Sequence, residues 1–180
     1  LLENGRGQTT RSFEVDRAAR FIKGSGLPLR IPVIEMVEIG AGGGSCAKVN
    51  EMNQIAVGPE SAGSEPGPVC YGRDGTTPAV TDADLALGRI DADNFAGGSI
   101  TLDAQAANAA LDAQIGAPLA LTAEMAAFGI AEIVDETMAN AARVHAVERG
   151  KVVAGHTLIA FGGAAPLHAA RLAEKLSIST

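Results

Sequence analysis

An α/β domain, a mixed sheet with helices packed on it, is the fold class this sequence predicts, and three observations predict it. Residues 33–39 (VIEMVEI) alternate as a strand does, and residues 157–161 (TLIAF) form the continuous apolar run of a strand buried on both faces. Residues 122–149 carry a long helix-periodic pattern with a capping residue at its start. With 180 residues, 47% of them hydrophobic, the chain is long enough for one domain with its own core. Aromatics are only 3% and Trp is absent, so that core must come from Ala, Val, Ile and Leu, and the abundant Ala and Gly suit close packing of helices on a sheet.

Taken in order, residues 11–15 alternate weakly and read as a short strand, and residues 33–39 read as a better one. The run Gly40-Ala41-Gly42-Gly43-Gly44-Ser45 breaks that strand, and residues 46–49 read as its return. Residues 58–75 (GPESAGSEPGPVCYGRDG) have no period; Pro59, Pro66 and Pro68 stiffen them into an ordered loop of the length that usually carries function. Thr81 or Asp82 can cap a short helix through Leu87, and Asp103 a second over residues 104–115, ending at Gly116. Thr122 caps the longest helix, with Glu124 in its first turn and Gly150 after its end. Ile130, Val134, Met138, Ala141 and His145 fall on one stripe of it. After the 157–161 strand, residues 162–165 turn the chain and Pro166 opens a last helix to Leu176.

Composition excludes some functions. A formal net charge of -7 and the lack of any basic run argue against a nucleic-acid surface. The N-terminus lacks a signal pattern, and no stretch of about 18 apolar residues would span a membrane, so a cytoplasmic protein is expected. Cys46 and Cys70 have no CxxC spacing and read as reduced, structural thiols.

The strand–GGAAP–helix unit at 157–176 is the most interpretable chemistry. A turn without side chains lets an anion approach backbone N–H groups at a helix N-terminus, although glycine used only for its dihedrals gives the same spacing. His168 lies in the first turn of that helix, either toward the same ligand or as an ordinary polar residue. Residues 40–45 are neither a Walker A loop, lacking Gly-Lys-Ser/Thr, nor a dinucleotide fingerprint, since Ser45 holds the sixth position. They read as a hairpin turn or as a nest of N–H groups around a phosphate or carboxylate. Glu60, Glu65, Asp74, Asp82 and Asp84 lie in or beside the long loop, where a pair could supply a general base and a Mg²⁺ ligand; singly, most such acids are solvated. A calcium loop at Asp91, a serine nucleophile at Ser61 and a zinc cluster of His145, His156 and His168 all fail on spacing or context, and His145 reads as a core histidine.

Four blocks together, IGAGGGS (39–45), VGPESAGSEPGPVCYG (57–72), TDADLALGRIDADNFAGG (81–98) and FGGAAPLHAARLA (161–173), resemble the hydantoinase A/oxoprolinase family. That family also includes subunits of ATP-dependent acetone and acetophenone carboxylases. The resemblance runs from about residue 4 to 178 and implies an actin-like (ribonuclease H-like) ATPase fold within a longer subunit. It also implies a second, hydantoinase B-type subunit as partner, and an oligomer in the full-length protein. The family's Asp-x-Gly-Gly-Thr phosphate loop would lie before Leu1, so the chain is expected to be a fragment: one domain, residues 1–180, of a longer chain.

The resemblance further implies ATP-dependent hydrolysis of a cyclic amide of the N-methylhydantoin or 5-oxoproline type, by phosphorylation of the amide oxygen. Gly42, Gly43, Gly44, Gly162, Gly163 and Ala164 would then donate to nucleotide phosphates. Asp82, with Glu60 as the second candidate, would hold Mg²⁺ or orient a nucleophile. A carboxylase acting on a ketone, or a non-catalytic assembly domain, are the alternatives. Three departures stand out: Ala165 where Gly is common, which bears on any left-handed backbone there; Asp84 where Asn is common; and Lys151-Val152-Val153-Ala154 in place of Asp-Pro-Arg.

Overall fold

The computed structural model describes residues 2–3, 5–7, 9–11, 13–15, 24–34 and 36–180. They fall into two compact units, Leu1–Glu38 and Ile39–Thr180. The first is built of short antiparallel pairs: β1 (Leu2–Glu3) with β2 (Arg6–Gly7), β3 (Thr9–Thr10) with β6 (Val33–Ile34), and β4 (Phe13–Val15) with β5 (Leu27–Leu29). The expected strand at 11–15 contracts to β4 at Phe13–Val15: Arg11 lies in a bend, and residue 12 is outside the described residues. The expected strand at 33–39 contracts to Val33–Ile34, with residue 35 likewise outside them.

The second unit opens with a hairpin, β7 (Ser45–Val49) against β8 (Ile55–Ser61). The glycine run is therefore not the hairpin turn between 33–39 and 46–49; β7 pairs forward in the chain instead. The reason is local. Asn50 Oδ1 accepts from Met52 N at 3.0 Å and Gln54 N at 2.9 Å, and Asn53 adopts a φ of 54°, which makes residues 50–54 the turn. The expected loop at 58–75 loses its first residues to β8 for the same reason.

Helices make the body of this unit: α1 (Val80–Ala86), α2 (Ala104–Leu111), the single turn α3 (Ala117–Leu119), α4 (Ala123–Glu148) and α5 (Ala165–Leu176). Asp103 caps α2, accepting from Ala106 N at 2.8 Å, and Thr122 caps α4, accepting from Met125 N at 3.1 Å, as the sequence predicts. A π turn at Asp112–Gly116 carries α2 into α3. The cap of α1 is a correction: Ala79 is the N-cap, and Asp82 sits at the third helical position. Ala165 is helical, so no left-handed backbone is needed there; the positive φ of this turn, 96°, belongs to Gly162.

α1 packs on α2 and α4, α5 on the far part of α4, and the hairpin lies across α4. Gly129 permits that crossing, because a Cβ there would come within 2.8 Å of Ile55 Cδ1. Ala47, Val80, Leu111, Ile115, Ile130 and Val134 form the main core. Burying several such side chains, at roughly 1.5–3 kcal/mol each, is what holds the hairpin and helices together. Of the stripe expected on α4, Ile130 and Val134 are buried, Met138 is partly so, and small residues (Ala126, Ala127, Ala131, Ala139) complete the face.

The strand expected at residues 157–161 does not form. Ile159 is 65% and Phe161 82% exposed, and the segment's backbone bond to a distant residue runs from Leu158 N to Thr180 O at 2.9 Å, at the end of the described residues. An apolar run makes a strand only where neighbouring backbone completes a ladder, and among the described residues none does. The sheets there are all two-stranded and antiparallel, so the class is mixed α/β with small sheets rather than helices on one mixed sheet. No single helix among the described residues is long and apolar enough to cross a membrane.

Candidate functional site

The two glycine loops meet. A Cβ added to Gly43 would lie 3.7 Å from Ala164 Cβ and 2.7 Å from Thr81 Oγ1, so the 40–45 loop touches the N-terminal turn of α5 where it has no side chain to hold it off. Carbonyls tie the first loop down: Gly42 O accepts from Ser45 N at 3.0 Å, Gly44 O from Ala62 N at 2.8 Å, and Gly43 O from Thr81 N at 2.8 Å. Thr81 Oγ1 donates to the same Gly43 carbonyl at 2.9 Å. Gly42 N donates to Ser45 Oγ at 3.1 Å, whereas the amides of Gly43 and Gly44, like those of Gly40 and Ala41 before them, have no acceptor among the described residues. Carbonyls turned inward and amides left over are what a cradle for phosphate oxygens requires. Across from them, Gly162 and Gly163 are exposed and Ala164 is half-buried, at the positive end of the α5 dipole. Gly42, Gly43, Gly44, Gly162, Gly163 and Ala164 thus lie on two adjoining loops.

The two candidate acids have different surroundings. Asp82 is fully buried, and its carboxyl accepts three backbone N–H bonds: Oδ1 from Cys70 at 2.7 Å, Oδ2 from Ala79 at 2.8 Å and from Val69 at 3.1 Å. It fastens the 62–79 loop under α1. Burial, reinforced by Asp82, pushes the Cys70 thiol far above its ordinary range. Glu60 stands on the solvent side of the hairpin, 68% exposed and 3.1 Å from Lys48 Nζ. The two acids share no partner. Among the described residues no group of three or more His, Cys, Asp or Glu is disposed to hold a metal, and Asp82, fully buried with three backbone N–H bonds on its carboxyl, presents no solvent-facing oxygen to a Mg²⁺ ion.

A third feature escapes the sequence. His168, in the first turn of α5 and 1% exposed, lies between two buried carboxyls: Nδ1 is 2.8 Å from Asp135 Oδ1 on α4, and Nε2 is 3.1 Å from Asp84 Oδ2 on α1. Arg89 Nη1 donates to Asp84 Oδ1 at 3.1 Å and stands 3.3 Å from His168 Nδ1. Since Nδ1 donates to Asp135, the Arg89 contact is one of like-charged neighbours rather than a hydrogen bond. Gly88, at a φ of 70°, ends α1 and turns Arg89 back onto Asp84. Burial pulls the imidazole down, but the bonds to Asp135 and Asp84 outweigh it and raise the pKa to about 9. His168 is therefore an imidazolium near neutrality, charge-balanced by its neighbours. Asp135 was legible in principle: it is four residues from both Ala131 and Ala139, on the buried face of α4.

The family model for hydantoinase/oxoprolinase proteins matches residues 3–180. The chain is 45% identical over 146 residues to caprolactamase subunit alpha of Pseudomonas jessenii, covering 81% of this chain and 21% of that protein. It is 43% identical over 145 residues to the acetophenone carboxylase gamma subunit of Aromatoleum aromaticum, covering 80% and 20% respectively. Among solved structures, nucleotide-free acetone carboxylase superposes with a TM-score of 0.81 at 30% identity, over 97% of this chain and 23% of that one. The ATP-dependent caprolactamase of Pseudomonas jessenii superposes with a TM-score of 0.80 at 41% identity, over 89% and 23%. The chain spans between a fifth and a quarter of the length of these relatives.

Proposed function

Because the chain belongs to the hydantoinase/oxoprolinase family, we propose that it forms part of the nucleotide-binding subunit of an ATP-dependent enzyme that opens a cyclic amide. The observation that carries this is the apposition of Gly43 to Ala164, which sets uncommitted amides beside a helix N-terminus in a chain whose relatives are ATP-dependent enzymes. The reading places these residues in an actin-like ATPase architecture within a longer chain, one domain of it, working with a hydantoinase B-type subunit. The caprolactamase and carboxylase relatives are themselves named as subunits.

A lactam or hydantoin carbonyl is a poor electrophile, and bound ATP would supply a phosphoryl group that turns the amide oxygen into a leaving group. In this scheme the amides of Gly43, Gly44, Gly162 and Gly163 hold phosphate oxygens, and the α5 dipole favours their charge. Catalysis by these residues is positioning plus charge stabilisation. Asp82 enters as the anchor of the loop beneath the cradle rather than as a metal ligand. Of the two acids, Glu60 is the one whose carboxyl a group arriving from solvent can reach.

Superposition on acetone carboxylase favours a second reading, an ATP-dependent carboxylase subunit acting on a ketone. The test is to purify the full-length protein with its partner subunit and measure ADP release with hydantoin, 5-oxoproline, caprolactam, or acetone plus bicarbonate. Ring-opened acid formed with ADP supports the cyclic-amide reading. Carboxylated ketone selects the second. Turnover of none, with no nucleotide binding, puts a non-catalytic assembly domain in front.

A further inference from the structure

We infer that the buried Asp84–His168–Asp135 cluster is a positioning device, which sets how tightly the proposed nucleotide cradle closes although none of its members touches a ligand. The inference rests on the nucleotide reading above and assigns it a second layer of residues.

The contacts form a closed circuit. Thr81, near the start of α1, holds the Gly43 carbonyl with both its amide and its hydroxyl. One helical turn further along α1, Asp84 accepts from His168 of α5. One turn back along α5 from His168 lies Ala164, which faces Gly43. Positions three or four apart on a helix share a face and are separated by about 5 Å of rise, so both helices act as rulers of one turn. Gly43, Thr81, Asp84, His168 and Ala164 then return to Gly43, and the distance between the loops is set by bonds rather than by loop dihedrals.

Asp135 fixes the third dimension. It binds the other imidazole nitrogen from α4, so His168 is held by two helices at once. An apolar contact at this point would let α5 slide by fractions of an ångström without penalty. A charged ring donating to two carboxyls of distances 2.8 and 3.1 Å does not. Arg89 caps the free side of Asp84 and keeps that oxygen pair oriented.

In the full-length protein, His168→Gln should raise the KM for ATP tenfold or more while the KM for the ring or ketone substrate and kcat change less than threefold. Hydrogen exchange without nucleotide should quicken at residues 161–168 and 40–45. Asp84→Ala should act like His168→Gln, whereas Asp84→Asn, which keeps an acceptor oxygen for Nε2–H and gives up only the bond from Arg89, should hold the ATP KM within about threefold. Arg171→Gln breaks the ion pairs of this α5 residue with Glu132 on α4 and Glu174 on α5 without touching the circuit, and should leave the ATP KM unchanged. If His168→Gln does not fold, the Asp84→Ala and Asp84→Asn pair carries the same comparison. An ATP KM within twofold of wild type in both His168→Gln and Asp84→Ala overturns the inference, as does an equal effect from Arg171→Gln, with the nucleotide reading left standing. Wild-type protein that neither binds nor turns over ATP overturns both.

Discussion

Asp135 Oδ1 takes the Nδ1–H of His168 at 2.8 Å, while Asp135 Oδ2, equally buried, has no hydrogen-bond partner among the described residues. The pairing is one-sided: the carboxyl depends on a single donor, and that donor carries charge only while the imidazole is protonated. Removing one partner of such a buried pair strands the other, which typically costs about 3–5 kcal/mol. His168→Leu should therefore destabilise strongly in thermal or denaturant unfolding. A loss under about 1 kcal/mol would mean that the cluster relaxes around the gap.

The same pair predicts a pH dependence. The folded pKa of His168 is raised to about 9 from the ordinary 6.5, by the bonds to Asp135 and Asp84 set against burial. Its contribution is complete below about pH 6.5 and is lost as pH rises through about 9. The groups facing it are Asp84 and Arg89 from α1 and the turn after it, and Asp135 from α4. A raised pKa of this size corresponds to a contribution on the order of 3 kcal/mol. Melting temperature measured between pH 6 and 10 should fall more steeply in wild type than in His168→Gln. Parallel curves would contradict this.

Gly43 has no room for a methyl group. Its added Cβ would stand 2.7 Å from Thr81 Oγ1, the hydroxyl that holds the Gly43 carbonyl. Gly43→Ala should cost about 1–3 kcal/mol as an overpacked site and should weaken ATP binding. Thr81→Ala removes the obstacle, so the double substitution should be less damaging than the sum of the singles. Strict additivity would show that the contact does not govern the loop.

Asp82→Asn is the conservative change that the sequence invites as a test of chemistry, since Asn caps helices as well as Asp. The structure predicts otherwise. Asp82 does not cap with its own backbone; its oxygens accept from Val69, Cys70 and Ala79, and an amide NH₂ would confront at least one of those donors. A fall in stability of about 2–4 kcal/mol is expected, together with faster hydrogen exchange across residues 62–79. An unchanged melting temperature with lost activity would instead return Asp82 to a direct role in the reaction.

Both cysteines are free thiols, Cys70 buried and Cys46 partly so. Burial, with Glu60 and Asp82 nearby, raises the Cys46 pKa as well. Alkylation of the native protein near pH 8, followed by peptide mapping, should label Cys46 slowly and leave Cys70 unlabelled; denaturation should expose both. Rapid labelling of Cys70 in native protein would show that the loop beneath α1 opens readily.

The sequence alone determined the features that depend on neighbours along the chain. Thr122 and Asp103 cap α4 and α2 because a side-chain oxygen there needs only an amide three residues on, and Pro166 stands in the first turn of α5 because its φ already suits a helix. The four motif blocks identified the family for a similar reason: they are ordered words, readable without contacts. The tertiary structure alone decided what depends on distant partners. Residues 157–161 have a strand's composition but no ladder among the described residues, because pairing needs a second backbone that composition does not supply. Asp82 reads in the sequence as a helix cap and a candidate Mg²⁺ ligand; amides 12 and 13 residues away closing on it make it a buried anchor instead. His168 acquired its charge from Asp84 and Asp135, 84 and 33 residues back, since a buried group's protonation is set by what surrounds it in space.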